Sequence, residues 1–189
     1  MSDKRRLGRR NEPTSVAAAL KHVLKAEGRY PEFVLSGGFD SDGGPRKSLR
    51  IFDPLTKSWT EAPDMRTPRS GHGMGAMDGL VFAVGGFSGG FSLKSGEVFD
   101  VESNTWGVLP PMAMARDGVG VAVLQSRLYV VGGDSNGECL PSVECYDPAT
   151  GCWSAVSPLK TPRAQLSCVV LNDLLFAIGG VGPSNTVLR

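Results

Sequence analysis

The chain has 189 residues, 41% of them apolar and 21% charged, with a formal net charge of +1. These values describe a soluble globular protein of one or at most two domains, with no global pull toward nucleic acid or a membrane. No stretch approaches the ~20 apolar residues of a membrane span, and the 25 glycines carry no three-residue period of a collagen-like fibre.

Charge is unevenly placed. Residues 1–30 hold eight Lys or Arg and three acids, whereas residues 31–189 hold twelve against sixteen. The longer part is mildly acidic, which argues against a phosphate-binding surface there. Residues 1–12, with Lys4, Arg5, Arg6, Arg9 and Arg10, lack the apolar content to fold and read as a disordered basic tail. A sharper alternative is a nuclear-import or acidic-surface patch.

Residues 13–29 predict a short amphipathic helix and linker. Val16, Ala19, Leu20, Val23 and Leu24 make one apolar stripe at helical spacing. Thr14 or Ser15 can cap its start and Gly28 can end it. His22 falls off that stripe between Lys21 and Lys25, as a solvated helix residue does.

From Tyr30 the period changes to that of strands, and one block recurs at a step of 47 residues. Its Asp positions are Asp53, Asp100 and Asp147, its Trp positions Trp59, Trp106 and Trp153, and its Arg positions Arg69, Arg116 and Arg163. A glycine pair follows each Arg (Gly85-Gly86, Gly132-Gly133, Gly179-Gly180), and Gly37-Gly38 starts the series. In the cleanest repeat, residues 71–77 predict a first strand, and Asp78-Gly79 is a two-residue hairpin signal. Residues 80–84 predict a second strand buried on both faces, residues 97–100 a third and 105–108 a fourth, with residues 85–94 left as glycine pair and loop. Between Asp and Trp, the residue two before Trp is Lys57, Asn104 or Gly151, where a bulged hairpin wants a left-handed backbone. Lys57 is the strained member.

Four strands in about 47 residues cannot stand alone and must stack face to face, which radial arrangement as a β-propeller achieves. No phosphate loop competes for the glycine pairs, because neither GxxxxGK[ST] nor GxGxxG before a helix is present. Cys139, Cys145, Cys152 and Cys168 form no CxxC pair and have no histidine nearby, which argues against zinc. Without a recognisable secretory signal they read as reduced thiols of a cytoplasmic protein, Cys168 as a small buried hydrophobe.

These marks resemble the kelch repeat family, whose pattern is an Arg, a second strand ending in Gly-Gly, a Tyr/Phe-Asp and a Trp six residues on. The resemblance covers about residues 31–189. It implies an all-β, kelch-type β-propeller, incomplete at about three to three and a half four-stranded blades, preceded by the short helix. The repeats fall at about 31–63, 64–110, 111–158 and 159–189, within a partial propeller over 30–189. Six blades, common in the family, would take about 280 residues, so the chain is expected to be a fragment of a longer protein. The helix and its junction look like the end of the helical segment in BTB-BACK-kelch adaptors.

The repeated marks read as scaffold, and the loops that differ between repeats as recognition surface. In the family, partners bind one face, at loops matching residues 39–47, 87–94 and 134–140, and 63–68, 110–115 and 158–162. Candidate contacts are Phe39, Asp40, Arg66, Phe87, Ser88, Phe91, Asp134, Ser135, Asn136 and Lys160. For Phe87 and Phe91, packing under their own loop is the competing reading. The resemblance implies a protein-binding module, the substrate-recognition part of a ubiquitin-ligase adaptor whose cullin contacts lie in BTB and BACK parts outside this sequence. An actin- or cytoskeleton-binding role is the alternative, with nuclear or cytoskeletal association. A sugar-active or copper enzyme is the third reading. It finds only two histidines, and its unassigned loop acids are Asp40, Asp42 and Asp134. No catalytic residue, metal or cofactor is expected.

Overall fold

The computed structural model describes Ala19–Leu20 and residues 33–183. Strands β1 (Ala19–Leu20), β2 (Phe33–Ser36), β3 (Leu49–Asp53) and β4 (Ser58–Ala62) form one antiparallel sheet in that order. The second sheet follows the same path: β5 (Gly73–Met77), β6 (Leu80–Val84), a small hairpin of β7 (Phe87–Ser88) and β8 (Phe91–Ser92), then β9 (Gly96–Asp100) and β10 (Thr105–Leu109). The third repeats it with β11 (Gly120–Leu124), β12 (Arg127–Val131), hairpin β13 (Asp134–Ser135) and β14 (Glu138–Cys139), β15 (Val143–Asp147) and β16 (Cys152–Val156). β17 (Ser167–Leu171) and β18 (Leu174–Ile178) make a two-stranded sheet. These are kelch-type propeller blades, and the described sheets leave the ring open.

The helix expected over residues 13–29 is overturned at the two positions of it that the structure describes. Ala19 pairs with Leu35 and Leu20 with Val34, so the segment is the first strand of the first blade. The free edge of β2 offers a row of backbone donors and acceptors, and strand pairing satisfies them where a helix would not. The remainder of that helix, His22 and the basic tail lie outside the described residues.

The core sits between blades. Val34 and Leu49 of the first blade pack with Met74, Val81, Phe99 and Trp106 of the second. Phe82, Val84 and Leu109 of the second pack with Val121, Leu128, Val130 and Tyr146 of the third. Val131 and Val143 meet Leu166 at the fourth. Each sheet therefore buries its apolar strands against its neighbours, as a 47-residue unit must. The first strands of successive blades run close together, which explains why β5 is glycine-rich. A Cβ at Gly73 would lie 2.1 Å from Val121 Cγ2, so a side chain there would push β11 away.

Turn chemistry follows the sequence. Asp78 and Gly79 have φ of 52° and 76°, as a tight hairpin between twisted strands requires. Lys57, Asn104 and Gly151 all adopt the left-handed region, at φ of 54°, 55° and 68°. Asp53, Asp100 and Asp147 each accept the N–H two residues on, from Leu55, Glu102 and Ala149. This local bond closes the turn, so the repeated Asp serves the scaffold.

Candidate functional site

The repeated Arg builds the loop face from below. Arg69 and Arg116 are wholly buried, and each spans its own blade. Arg69 Nη1 donates to the carbonyls of Gly85 and Ser95 at 2.8 and 2.9 Å, and Arg116 Nη1 to those of Gly132 and Ser142 at 2.9 and 3.0 Å. Arg69 Nη2 also pairs with Glu97 at 3.0 Å, and Arg116 Nη2 with Glu144 at 2.6 Å. Those carboxylates in turn accept backbone N–H groups, Glu97 from Arg66 and Thr67 and Glu144 from Ala113 and Met114. A buried ion pair is tolerable when most of its remaining lone pairs and protons are answered in this way. Arg69 Nε also donates to Glu97 at 3.3 Å, whereas Arg116 Nε is buried with no partner among the described residues. Burial pulls both guanidinium groups downward in pKa, and the paired glutamates pull them back. Glu97 and Glu144 carry no mark that motif reading found, although they too stand 47 residues apart. The first blade has exposed Arg50 at that register, paired with Glu61.

The same Arg residues join blades through their carbonyls. Gly38, Gly86 and Gly133 donate to the carbonyls of Arg69, Arg116 and Arg163, at 2.9, 2.8 and 2.9 Å. At the first glycine of each pair a Cβ would collide with that carbonyl, at 2.4 Å for Gly37, 2.5 Å for Gly85 and 2.4 Å for Gly132. This crowding is why the marks are glycine.

Both loop sets then fall on one face. The loop leaving each fourth strand runs along the segment between the second and third strands of its own blade. Met65 N–H donates to Lys47 O, Met112 to Lys94 and Leu159 to Pro141. On this face the β7–β8 and β13–β14 hairpins stand side by side. The Ser92 N–H donates to Asn136 Oδ1, and Asn136 N–H donates to Ser92 Oγ, both at 3.1 Å. Ser92 Oγ donates onward to Asp117 Oδ2 at 2.7 Å. Between the hairpins lies a groove of about 590 Å³, lined by Phe87, Phe91, Ser92, Asp117, Asp134 and Asn136 among others.

Of the ten sequence candidates, Phe87, Phe91, Asp134 and Asn136 meet in this groove. Phe91 is 68% exposed and Phe87 36%, so neither is packed away under its loop. Ser88 and Ser135 belong to the same hairpins without lining it. Phe39 and Asp40 lie on the first blade, where Asp40 Oδ1 accepts the N–H groups of Asp42 and Gly44 and closes its own loop. Exposed Arg66 and Lys160 sit on loops between blades and do not line the groove. Ser92 and Asp117 were missed by motif reading. The available signal was register: Asp117 directly follows a repeated Arg and pairs with the residue directly after the glycine pair.

His72 lies beneath the face, 3% exposed, with no hydrogen-bond partner for either ring nitrogen among the described residues. Burial, reinforced by the Arg69 charge, lowers its pKa to about 4, so it is neutral near pH 7. Among the described residues no group of histidine, cysteine and acidic side chains has metal-binding geometry. Cys139, Cys145, Cys152 and Cys168 are free thiols, and no described helix is long and apolar enough to cross a membrane.

Comparison with known proteins agrees with the blade geometry. The KLHDC2/KLHL20/DRC7 Kelch-repeats domain model matches residues 14–180. Kelch-like ECH-associated protein 1A of Danio rerio is 44% identical over 39 residues, 21% of this chain and 6% of that protein. Kelch-like protein 7 of Rattus norvegicus is 38% identical over 52 residues, 28% of this chain and 9% of that one. These matches therefore span less than a tenth of the relatives' length. The structure described as "Structure of YjhT" superposes with a TM-score of 0.73 at 16% identity, covering 84% of this chain and 62% of that one, a likeness of fold. With the family model matched over most of its length, the chain belongs to the KLHDC2/KLHL20/DRC7 Kelch-repeats domain family, whose propeller blades serve as protein-interaction modules.

Proposed function

We propose that this chain is a substrate-recognition module of a ubiquitin-ligase adaptor, and that partners dock on the loop face at the groove between the β7–β8 and β13–β14 hairpins. The observation that carries the docking site is the pairing of exposed Phe87 and Phe91 with fixed polar groups in one concave surface. Aromatic anchors beside ordered hydrogen-bonding groups are what binding hot spots are made of. The Ser92–Asn136 bonds hold the two hairpins in a fixed relation, so little ordering cost attends docking. The adaptor role is supported by the kelch-like relatives and by membership of the kelch-repeat family.

Affinity capture with the wild-type chain and with Phe91→Ala plus Asn136→Ala tests the site. Loss of a reproducible set of captured proteins in the variant supports it, and an unchanged set sinks it. Captured proteins that accumulate in cells lacking the gene support the ligase role. If their levels do not move, that role falls and the interaction module remains.

A further inference from the structure

Three bridges join the residue after the repeated Arg to the residue after the glycine pair at the same register in successive blades: Ser70 with Phe87, Asp117 with Asp134 and Ala164 with Val181. In the second and third blades the pairing is made by two backbone hydrogen bonds, and in the third these join Asp117 and Asp134 at 2.9 and 2.7 Å. The backbone geometry thus requires no particular side chain at either position. The third blade nevertheless sets two carboxylates directly opposite each other, an arrangement that costs stability. Among the described residues neither acid takes part in an ion pair, while Lys47, Arg50 and Arg127 pair with Asp64, Glu61 and Asp147. Burial raises the Asp117 carboxyl above its ordinary range, and the nearby Asp134 adds to this, against the pull of the Ser92 hydroxyl. Asp117 Oδ2 is taken by Ser92 and Asp134 Oδ1 by Gly137 N–H. One oxygen of each acid is therefore left without a hydrogen bond in the described structure. Phe87 and Phe91 line the same groove.

We infer that the groove is built to take an arginine side chain from an extended segment of a protein partner, its guanidinium between Asp117 and Asp134 and its stem against Phe87 and Phe91. The charge complementarity is direct, since a cation turns a repulsive carboxylate pair into two attractive contacts. A planar guanidinium can bond both free carboxylate oxygens at once and stack on an aromatic face, which an ammonium does less well. This inference rests on the groove being the docking site, and it adds the chemistry of the partner.

The test uses immobilised heptapeptide pools, random except for a central Arg, Glu or Leu, probed with the full chain. The Arg pool is expected to bind at least about ten-fold more strongly than either other pool, and less so at high salt. Asp117→Asn with Asp134→Asn keeps the shapes, relieves the repulsion and should leave the fold at least as stable, while abolishing the preference for Arg. Equal binding of the Glu or Leu pool, or an Arg preference that survives the double Asn variant, overturns the inference. If the Glu or Leu pool binds and Phe91→Ala abolishes it, the docking site stands and only its chemistry is wrong. If no pool binds and partner capture ignores Phe91→Ala, both readings fall.

Discussion

Removing the Glu97 carboxylate would leave the Arg69 guanidinium wholly buried with its charge unanswered, and would free the backbone N–H groups of Arg66 and Thr67. Glu97→Ala is expected to cost about 3–5 kcal/mol in urea unfolding, as broken buried pairs do. An exposed-pair variant, Glu61→Ala, should cost under about 1 kcal/mol. A near-equal cost at the two sites would refute the lock. His72 gives a pH signature. Its folded pKa of about 4 lies below the ordinary 6.5, so between those values the unfolded chain takes a proton that the fold refuses. The stability contribution is complete above pH 6.5 and falls as pH drops toward 4, by about 3 kcal/mol in all. His72→Val, which copies the residue at the matching position 119, should flatten that slope in denaturant titrations run across the interval. A wild-type slope retained by the variant would place the titration elsewhere.

At the scale of the element, the repeated Trp tests how a blade is held by its neighbour. Trp106 Nε1–H donates to Pro63 O at 2.7 Å and Trp153 Nε1–H to Pro110 O at 2.8 Å, each reaching the preceding blade. Trp59, in the first described blade, is 52% exposed and meets Phe52 with ring centroids 5.1 Å apart and planes tilted by 46°. Trp106→Phe should therefore lose about 1–2 kcal/mol, while Trp59→Phe stays within about 0.5 kcal/mol of wild type, measured by chemical unfolding. Equal losses would mean that the cross-blade bond adds nothing. The β7–β8 hairpin was not foreseen, since residues 85–94 read as loop. Its signal was present in Gly89-Gly90 between two Phe-Ser pairs, a two-residue turn flanked by short matching strands.

At the scale of the molecule, the 47-residue step made the blade count and strand order legible, because turn and packing chemistry repeat with it. Two things were not legible. The first strand of the first blade is chosen by the free edge of β2, a tertiary demand that overrode helical periodicity at Ala19 and Leu20. Glu97 and Glu144 bond arginines 28 residues distant in sequence and Asp117 bonds Ser92 at 25 residues, which spacing within one motif does not report. The fourth sheet carries a further consequence. Leu175 and Ala177 pack on the third blade, while Leu174, Phe176 and Ile178 alternate outward at 60%, 42% and 54% exposure. This 189-residue polypeptide should therefore self-associate with rising concentration, and Leu174→Lys with Ile178→Lys should suppress it. Sedimentation that reports a monomer for the wild type at every concentration would sink this expectation.

The carbonyls of Arg69, Arg116 and Arg163 each clasp a glycine of the blade before them. A blade's own glycine amide is thus guarded by its successor, so amide exchange at Gly86 times the opening of the third blade, and exchange at Gly133 that of the fourth. Loosening at the late end strips protection backward along the chain, one clasp at a time, while loosening at the early end leaves later amides shielded. The open arc has a direction of fraying, and that direction is written in which blade donates and which accepts.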